Sequence, residues 1–330
     1  MKKVLGIILI IGLVLTLVAC GGGGQTQGGS GGNFPSANIN GIVQWGAGGG
    51  TDSLMRPLSA LAEEHLGVSI IVQNMTGATG SIATQFVYDS DADGYTLLMG
   101  AENPALYQAL DISQLTYDDF IPVFLVGDET VGILVSDTSP FGSFSEIIEA
   151  ALAAPGTVRL STTGAGGLPW SVSAFIYDVT GATFNMIPYE SDAAALLAVR
   201  SGEVDFTVAK VQSAIEDYRA GVVNFLTMLA LETVPTLPHV PLVTEEFPDF
   251  ARFLPWGPFY GVFVRNDTDP AIVQTLSEAF AAAAADPTYQ ELLVNFNINF
   301  LGLTGDEART YISNWQENTV NALRASGAID

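Results

Sequence analysis

Three glycine-rich segments are the residues of this sequence best suited to chemistry, and the chemistry they favour is the binding of anionic oxygens. They are residues 45–52 (Trp-Gly-Ala-Gly-Gly-Gly-Thr-Asp), 74–81 (Asn-Met-Thr-Gly-Ala-Thr-Gly-Ser) and 162–167 (Thr-Thr-Gly-Ala-Gly-Gly). Each joins a strand-like segment to a helix-like one. Glycine lets the backbone approach a ligand closely, and the first N–H groups of the following helix are unpaired and carry partial positive charge. A single turn of this kind can serve only as a tight connection, but three in one chain indicate a ligand cleft.

Two charged residues also stand out, and each has a structural alternative. Asp52 ends the first turn, where a carboxylate either contacts a ligand or, more commonly, caps the helix N-terminus. Lys210 is the only lysine beyond Lys3. It follows the strand-like segment 204–208, and open parallel sheets place ligands at the carboxyl ends of their strands. Lys210 is therefore either a cleft residue opposite an anionic ligand or a solvated surface cation.

Nucleotide binding and catalysis are disfavoured by what the motifs lack. The first turn has no lysine of the kind that NTP-binding loops use, and none of the three turns keeps the G-x-G-x-x-G spacing. The two histidines, His65 and His239, lack the spacing of a metal pair, and the sole cysteine is Cys20. A Ser-His-Asp triad is compatible with any chain order, but no G-x-S-x-G turn between a strand and a helix supports one. The sequence predicts no enzyme activity, no cofactor and no metal site.

The first twenty residues predict export and a lipid anchor. Lys2 and Lys3 precede an apolar stretch at 4–19, whose sixteen residues would span roughly 24 Å as a helix, short of the ~30 Å hydrocarbon core. The ending Leu17-Val18-Ala19-Cys20 resembles a bacterial lipobox, in which cleavage before the cysteine leaves Cys20 to carry lipid. Residues 1–20 are therefore interpreted as a lipoprotein signal peptide and the Gly-rich residues 21–33 as a flexible tether. The expected location is the outer face of the cytoplasmic membrane or the periplasm of a bacterium.

The charge of the chain limits the classes of partner. The formal net charge is −24, and all 35 acidic residues lie beyond the leader. Nucleic-acid binding needs a basic surface, so it is disfavoured. The overall field also repels anions, so an anion site in this chain must rely on local donors.

Beyond the tether, strand-like and helix-like segments alternate, which predicts an α/β fold with a mostly parallel sheet and helices on its faces. The predicted strands are 40–45, 68–73, 95–99, 131–135, 158–162, 204–208 and 259–264. The predicted helices are 52–66, 81–88, one that begins at the Ser143–Glu146 capping box, 171–179, 272–285, and a last helix with a buried stripe at Tyr311, Ile312, Trp315 and Leu323.

These turns belong to a larger set of motifs that resembles the substrate-binding receptors of tripartite tricarboxylate transporters, the Bug or TctC-type solute receptors. The resemblance extends from Ile39 to Ile329, and the order and spacing of the motifs make it specific. The matching stretches are residues 48–52, 72–74, 77–80, 93–98, 103–107, 162–164, 187–189, 202–205 and 237–241.

The resemblance implies a two-lobed periplasmic-binding-protein fold (a Venus flytrap, type II-like) that closes on its ligand. Two crossovers, near Ser136 and Pro255, divide the chain into lobe I (34–136), lobe II (137–254) and a return to lobe I with the C-terminal helices (255–330). The implied ligand is a small di- or tricarboxylate or a related organic anion. The implied partners are a large and a small membrane subunit of an ion-driven transporter. Carried over from the family motifs or singled out above, the expected ligand-binding residues are Trp45, Ala47, Gly48, Gly49, Gly50, Asp52, Gly77, Ala78, Thr79, Gly80, Ser81, Thr162, Thr163, Gly164, Gly166, Tyr189 and Lys210.

Departures from the family pattern bear on the ligand. Residues 167–170 are Gly-Leu-Pro-Trp where the family often has serines and a histidine. Trp45 occupies a position where Phe or Tyr followed by Pro is common, and Lys210 replaces an acidic or small polar residue. Fewer hydroxyls and an added cation suggest an anionic ligand with an apolar body. Two other roles stay open: a sensor that reports ligand occupancy to a signalling partner, and the receptor of an ATP-driven importer.

Overall fold

The structure, a computed structural model, describes residues 34–189 and 191–330. The predicted signal peptide, Cys20 and the tether lie outside the described residues. None of the helices in the described part of the chain is both long enough and apolar enough to cross a membrane.

The described residues form an α/β fold of alternating strands and helices. The strands are β1 (Ile39–Val43), β2 (Ile70–Asn74), β3 (Thr96–Ala101), β4 (Phe120–Glu129), β5 (Val131–Ser136), β6 (Arg159–Thr162), β7 (Asn185–Pro188), β8 (Thr207–Lys210), β9 (Val223–Met228), β10 (Phe259–Arg265) and β11 (Ile298–Leu303). The helices are α1 (Gly50–Leu66), α2 (Ser81–Asp89), α3 (Phe144–Ala153), α4 (Leu168–Thr180), α5 (Asp192–Arg200), α6 (Val211–Arg219), α7 (Val243–Glu246), α8 (Pro270–Ala284), α9 (Pro287–Asn295) and α10 (Gly305–Ala325). Short 3-10 turns lie at 78–80, 103–106, 117–119 and 248–253.

The first lobe is built on a six-stranded sheet in the order β11-β4-β10-β3-β1-β2. The strands β2, β1 and β3 run parallel, whereas β10 runs antiparallel to both β3 and β4. Helices α1 and α8 pack together beside this sheet. The apolar face of α1, which includes Leu54, Leu58 and Ala62, is fully buried in that core, as helical spacing of apolar residues predicts.

The second lobe repeats the same strand order. Its strands form the ladders β8-β5-β9 and β6-β7, and a parallel bridge between Leu160 and Phe206 joins the two. The resulting order, β7-β6-β8-β5-β9, corresponds to β2-β1-β3-β10-β4 of the first lobe. The predicted two-lobed periplasmic-binding-protein fold is confirmed.

The first crossing between the lobes lies at Thr130, earlier than the expected position near Ser136. Strand β5 pairs only with β8 and β9 among the described strands, so residues 131–136 belong to the second lobe. The sequence does not mark this boundary, because β4 and β5 are both buried along nearly their whole length and only Thr130 separates them. The boundary therefore lacks the polar or glycine-rich break that usually marks a linker.

The return crossing runs within residues 229–258, where Pro255 lies, and it passes directly beside the first crossing. The Glu129 N–H donates to the Pro258 carbonyl oxygen at 2.8 Å. Helix α10, which follows the return, packs on both β4 of the first lobe and α4 of the second, so the C-terminal helix contacts both lobes. Trp315 of α10 stacks on Trp256 of the return segment with ring centroids 5.6 Å apart, which fixes the helix beside the crossings.

Candidate functional site

A cavity of about 570 Å³ opens between the two lobes, a size typical of sites for small metabolites. The lining residues from the first lobe and the return segment are Trp45, Gly46, Ala47, Gly49, Gly50, Thr51, Thr79, Ala101, Glu102, Asn103, Pro258 and Tyr260. Those from the second lobe are Thr163, Ala165, Gly166, Gly167, Leu168, Ser191, Asp192 and Lys210. The cavity thus brings together the first and third glycine turns, the ends of β3 and β8, and the start of the antiparallel β10.

The first glycine turn presents the N-terminus of α1 to this cavity. Gly48 has φ +77°, which favours glycine, and the Gly49 N–H donates to the Gly46 carbonyl oxygen at 3.1 Å. The Gly50 and Thr51 N–H groups, which begin α1, have no partner within the helix, and both residues line the cavity. A Cβ on Gly50 would come within 2.9 Å of the Tyr260 hydroxyl, so glycine is required for this close approach.

Asp52 holds the first turn from outside the cavity lining. One carboxylate oxygen accepts from the Gly48 N–H at 3.0 Å, and the other accepts from Arg56 at 2.6 Å and from Asn74 at 2.9 Å. Partial burial raises the pKa of Asp52, but these donors outweigh it and leave the pKa below its ordinary value. Asp52 lies in the first turn of α1, whose N-cap residue is Gly49 without a side-chain cap, so Asp52 is not the helix cap that the sequence favoured; its carboxylate stabilises the glycine turn instead.

The second turn contributes one residue, Thr79, to the cavity lining. Ala78 and Thr79 both have left-handed backbones, with φ of 46° and 55°, and the Tyr107 hydroxyl fixes this conformation by donating to the Thr79 carbonyl oxygen at 2.8 Å. The other expected residues of this turn lie outside the lining: Gly77, Ala78, Gly80 and Ser81.

The third turn lines the opposite wall with Thr163, Gly166 and the N-terminus of α4. Thr162 and Gly164 lie behind the lining, where the Thr162 hydroxyl accepts from the Gly164 N–H at 3.2 Å and so shapes the turn. Tyr189 also lies outside the lining, and its hydroxyl donates to Glu203 at 2.9 Å. The N-termini of α1 and α4 therefore face one cavity from opposite lobes.

Lys210 lines the cavity, and its charge already has a partner. The Lys210 Nζ lies 2.8 Å from Glu129 Oε2 and 3.3 Å from the Tyr260 hydroxyl, with 26% of the lysine side chain and 3% of the Glu129 side chain exposed. Burial lowers the pKa of Lys210, but Tyr260, Glu129 and Glu102 together raise it well above its ordinary value. The lysine is thus neither a free surface cation nor an isolated counter-charge for a ligand, and it links lobe II to lobe I beside both crossings.

Glu102 is one of several cavity residues that were not predicted from the sequence. It follows β3, and its position is fixed through Ala101, whose N–H donates to Gln44 at 2.9 Å and whose carbonyl oxygen accepts from the Tyr117 hydroxyl. Burial raises the pKa of Glu102 to about 7, although the nearby Lys210 lowers it. The rule that drew attention to Lys210, a charged residue at the carboxyl end of a strand, applies equally to Glu102.

Comparison with known proteins identifies the family. A sequence model described as the tripartite tricarboxylate transporter family receptor, TctC, matches residues 54–323. Among curated proteins, BugT of Bordetella pertussis is 27% identical over 300 residues, which cover 89% of this chain and 91% of that protein.

Solved structures show the same fold. A TctC solute-binding protein from Polaromonas has a TM-score of 0.76 at 24% identity, covering 89% of this chain and 100% of that one. An R. palustris protein with adipate has a TM-score of 0.76 at 22% identity, covering 89% of this chain and 99% of that one. MatC from Rhodopseudomonas palustris with bound malate has a TM-score of 0.69 at 24% identity, covering 87% of this chain and 100% of that one. At these identities the structures support the fold, and the family follows from the sequence match. The chain belongs to the tripartite tricarboxylate transporter receptor family.

Proposed function

We propose that this chain is an exported receptor that binds a small organic carboxylate between its lobes and delivers it to the membrane subunits of a tripartite tricarboxylate-type transporter. The observation that supports this most directly is the convergence of the N-termini of α1 and α4, from opposite lobes, on one cavity of metabolite size. Helix N-termini carry partial positive charge, and each hydrogen bond to a charged group contributes about 1.5–3 kcal/mol. Backbone donors can therefore hold a carboxylate although the chain as a whole is strongly acidic.

The ligands of two structural neighbours agree with this chemistry. Adipate and malate, which are bound in the R. palustris structures, are both small dicarboxylates. The cavity of this chain has room for compounds of that size.

The two-lobed architecture lets ligand binding change the arrangement of the lobes, and a transporter can recognise that change. A ligand that contacts the first turn and the third turn together stabilises the closed arrangement of the lobes, because only that arrangement offers both sets of donors. The adjacent crossings at Thr130 and within residues 229–258 are where such closure would bend the chain. In this proposal the membrane subunits recognise the closed form, and lipid on Cys20 keeps the receptor near them.

Calorimetric titration with a panel of small carboxylates tests the proposal. Adipate, malate, citrate and amino-carboxylates are titrated into the wild type, into Gly49→Val and into a control, Gly142→Val. A Cβ on Gly49 lies 3.1 Å from the Gly46 carbonyl oxygen, so valine disturbs the turn, whereas a Cβ on Gly142, outside the cavity, makes only ordinary contact at 3.7 Å.

Losing one charge-assisted hydrogen bond weakens binding roughly ten- to a hundred-fold. We expect that loss in Gly49→Val, with wild-type affinity in Gly142→Val. Equal affinity in all three proteins, or no binding of any carboxylate by the wild type, would contradict the proposal.

A further inference from the structure

The acidic residue Glu102 faces the cavity without a partner for its charge. Within residues 34–189 and 191–330, the side-chain carboxylate of Glu102 forms no ion pair, and the one hydrogen bond it accepts comes from its own backbone N–H. The neighbouring Glu129 carboxylate is instead paired with Lys210. The adjacent residue, Asn103, also borders the cavity. Asn103 is 7% exposed, and its amide oxygen is buried without a hydrogen-bond partner among the described residues. Glu102 thus faces the ligand space without a donor from another described residue, and the unpaired Asn103 oxygen lies beneath the cavity surface.

The balance of charge around the cavity is negative. The charged residues that line it in the described part of the chain are Glu102, Asp192 and Lys210. The positive charge of Lys210 is matched by Glu129, 2.8 Å away, so Glu102 and Asp192 are left as uncompensated acids. A second carboxylate on the ligand would meet like charge here, whereas a cation would meet attraction in surroundings of low effective dielectric constant.

We propose that the physiological ligand carries a protonated amine as well as a carboxylate, and that Glu102 is the residue that binds the amine. This inference rests on the proposed function, because it assumes that the carboxylate of the ligand lies at the helix N-termini. The amine supplies Glu102 with a donor from outside its own backbone and with the positive charge that balances its carboxylate. The receptor is accordingly specific for zwitterionic amino-carboxylates over dicarboxylates of the same length.

The protonation state of Glu102 gives this specificity a pH dependence. The titratable groups that surround Glu102 are Lys210, Glu129, Asp192, Tyr107, Tyr117, Tyr260 and Tyr311. Burial raises the pKa of Glu102 to about 7, so its carboxyl loses its proton as the pH rises from 6 to 8. An amine ligand therefore binds more tightly at pH 8 than at pH 6. A ligand whose second carboxylate accepts a hydrogen bond from protonated Glu102 shows the opposite trend.

Matched ligands separate these cases. Calorimetry at pH 6 and pH 8 compares terminal amino-carboxylates of three to eight carbons with dicarboxylates of the same length, for example 6-aminohexanoate with adipate, and 5-aminopentanoate with glutarate. Each titration is repeated with Glu102→Gln, which keeps the shape of the side chain and removes its charge. Glu278→Gln, on the exposed surface of α8, is the control for the same substitution outside the cavity.

We expect at least one amino-carboxylate to bind about ten-fold more tightly than its matched dicarboxylate at pH 8. Glu102→Gln should abolish that preference and its pH dependence, and Glu278→Gln should retain both. Tighter binding of dicarboxylates, or an unchanged preference in Glu102→Gln, overturns this inference and leaves the proposed function standing. If neither class of ligand binds the wild type, the inference fails, and if citrate and malate also fail to bind, the proposed function fails with it.

Discussion

The substitution Lys210→Met tests whether the cation in the cleft links the two lobes. It removes the ammonium that lies 2.8 Å from Glu129 and leaves that carboxylate, on a side chain only 3% exposed, without its counter-ion. At an effective dielectric constant of about 20, two unit charges at this distance attract by roughly 6 kcal/mol before the cost of desolvation. Removing one partner of a buried pair costs about 3–5 kcal/mol. Because 26% of the Lys210 side chain is exposed, we expect a loss of about 2–3 kcal/mol in the free energy of unfolding.

Urea unfolding followed by circular dichroism measures this loss. The midpoint should fall while the m-value stays constant, since the surface exposed on unfolding is unchanged. The double variant Lys210→Met, Glu129→Gln should recover most of the loss, because it removes the uncompensated charge as well as its partner. A loss of less than about 0.5 kcal/mol in the single variant, or no recovery in the double one, would refute the assignment of Lys210 as a buried link between the lobes.

Three further predictions address other parts of the molecule. Above pH 7, Glu102→Gln should have a free energy of unfolding up to about 3 kcal/mol higher than the wild type. The reason is that the native pKa of Glu102, about 7, lies above its ordinary value of 4.5, so the wild type loses stability as the pH rises from 4.5 to 7. Paired urea titrations at pH 5 and pH 8 that show no such difference would contradict this prediction. In the same urea measurement, Gly257→Ala should lower the free energy of unfolding by about 1–3 kcal/mol, because its Cβ collides with the Glu129 backbone. The control Gly46→Ala, whose Cβ meets nothing within 4 Å, should change the free energy of unfolding little. Cys20→Ala should abolish fatty-acid labelling and move the protein to the aqueous phase of a detergent partition, and a wild type that is unlabelled and aqueous would exclude the anchor.

Elements with a strong local signal were predicted well from the sequence. The predicted helix start at Ser143 is confirmed, since the Ser143 hydroxyl accepts from the Glu146 N–H at 3.2 Å at the start of α3; the reciprocal half of the capping box is not formed, because the Glu146 carboxylate accepts from the Gly142 N–H at 2.6 Å. Of the predicted stripe, Ile312, Trp315 and Leu323 are buried in α10 and Tyr311 is half-buried. In each case the pattern depends on residues within a few turns of one another, so local sequence determines it.

Other strands were predicted incorrectly or not at all from the sequence. Strand β4 (Phe120–Glu129) is buried along nearly its whole length and has no alternation of apolar and polar residues. The strand predicted at 204–208 begins three residues later, at Thr207, because residues 205–206 pair with β6 before the regular ladder starts.

The glycine turns were found from sequence, but their individual contributions to the site were not. Sequence alone treats the second turn as equal to the first and third, whereas in the structure only Thr79 of that turn reaches the cavity. Lys210 was predicted as a cleft residue, but its proximity to Glu102 and Glu129 was not, because the three residues lie at the ends of three strands that are far apart in the chain. Only the sheet topology and the crossing at Thr130 bring them together, and no local pattern encodes that proximity.

A carboxylate bound in the cleft against the first glycine turn should remain with the receptor through purification, so the released ligand can be identified. Wild type, Gly49→Val and Gly142→Val are purified without denaturation from cells grown on a complex medium. The small molecules released on unfolding are then identified and quantified by mass spectrometry. We expect a compound with at least one carboxylate, abundant in wild type and Gly142→Val and strongly depleted in Gly49→Val. A released compound without a carboxylate, or one equally abundant in all three proteins, would contradict it.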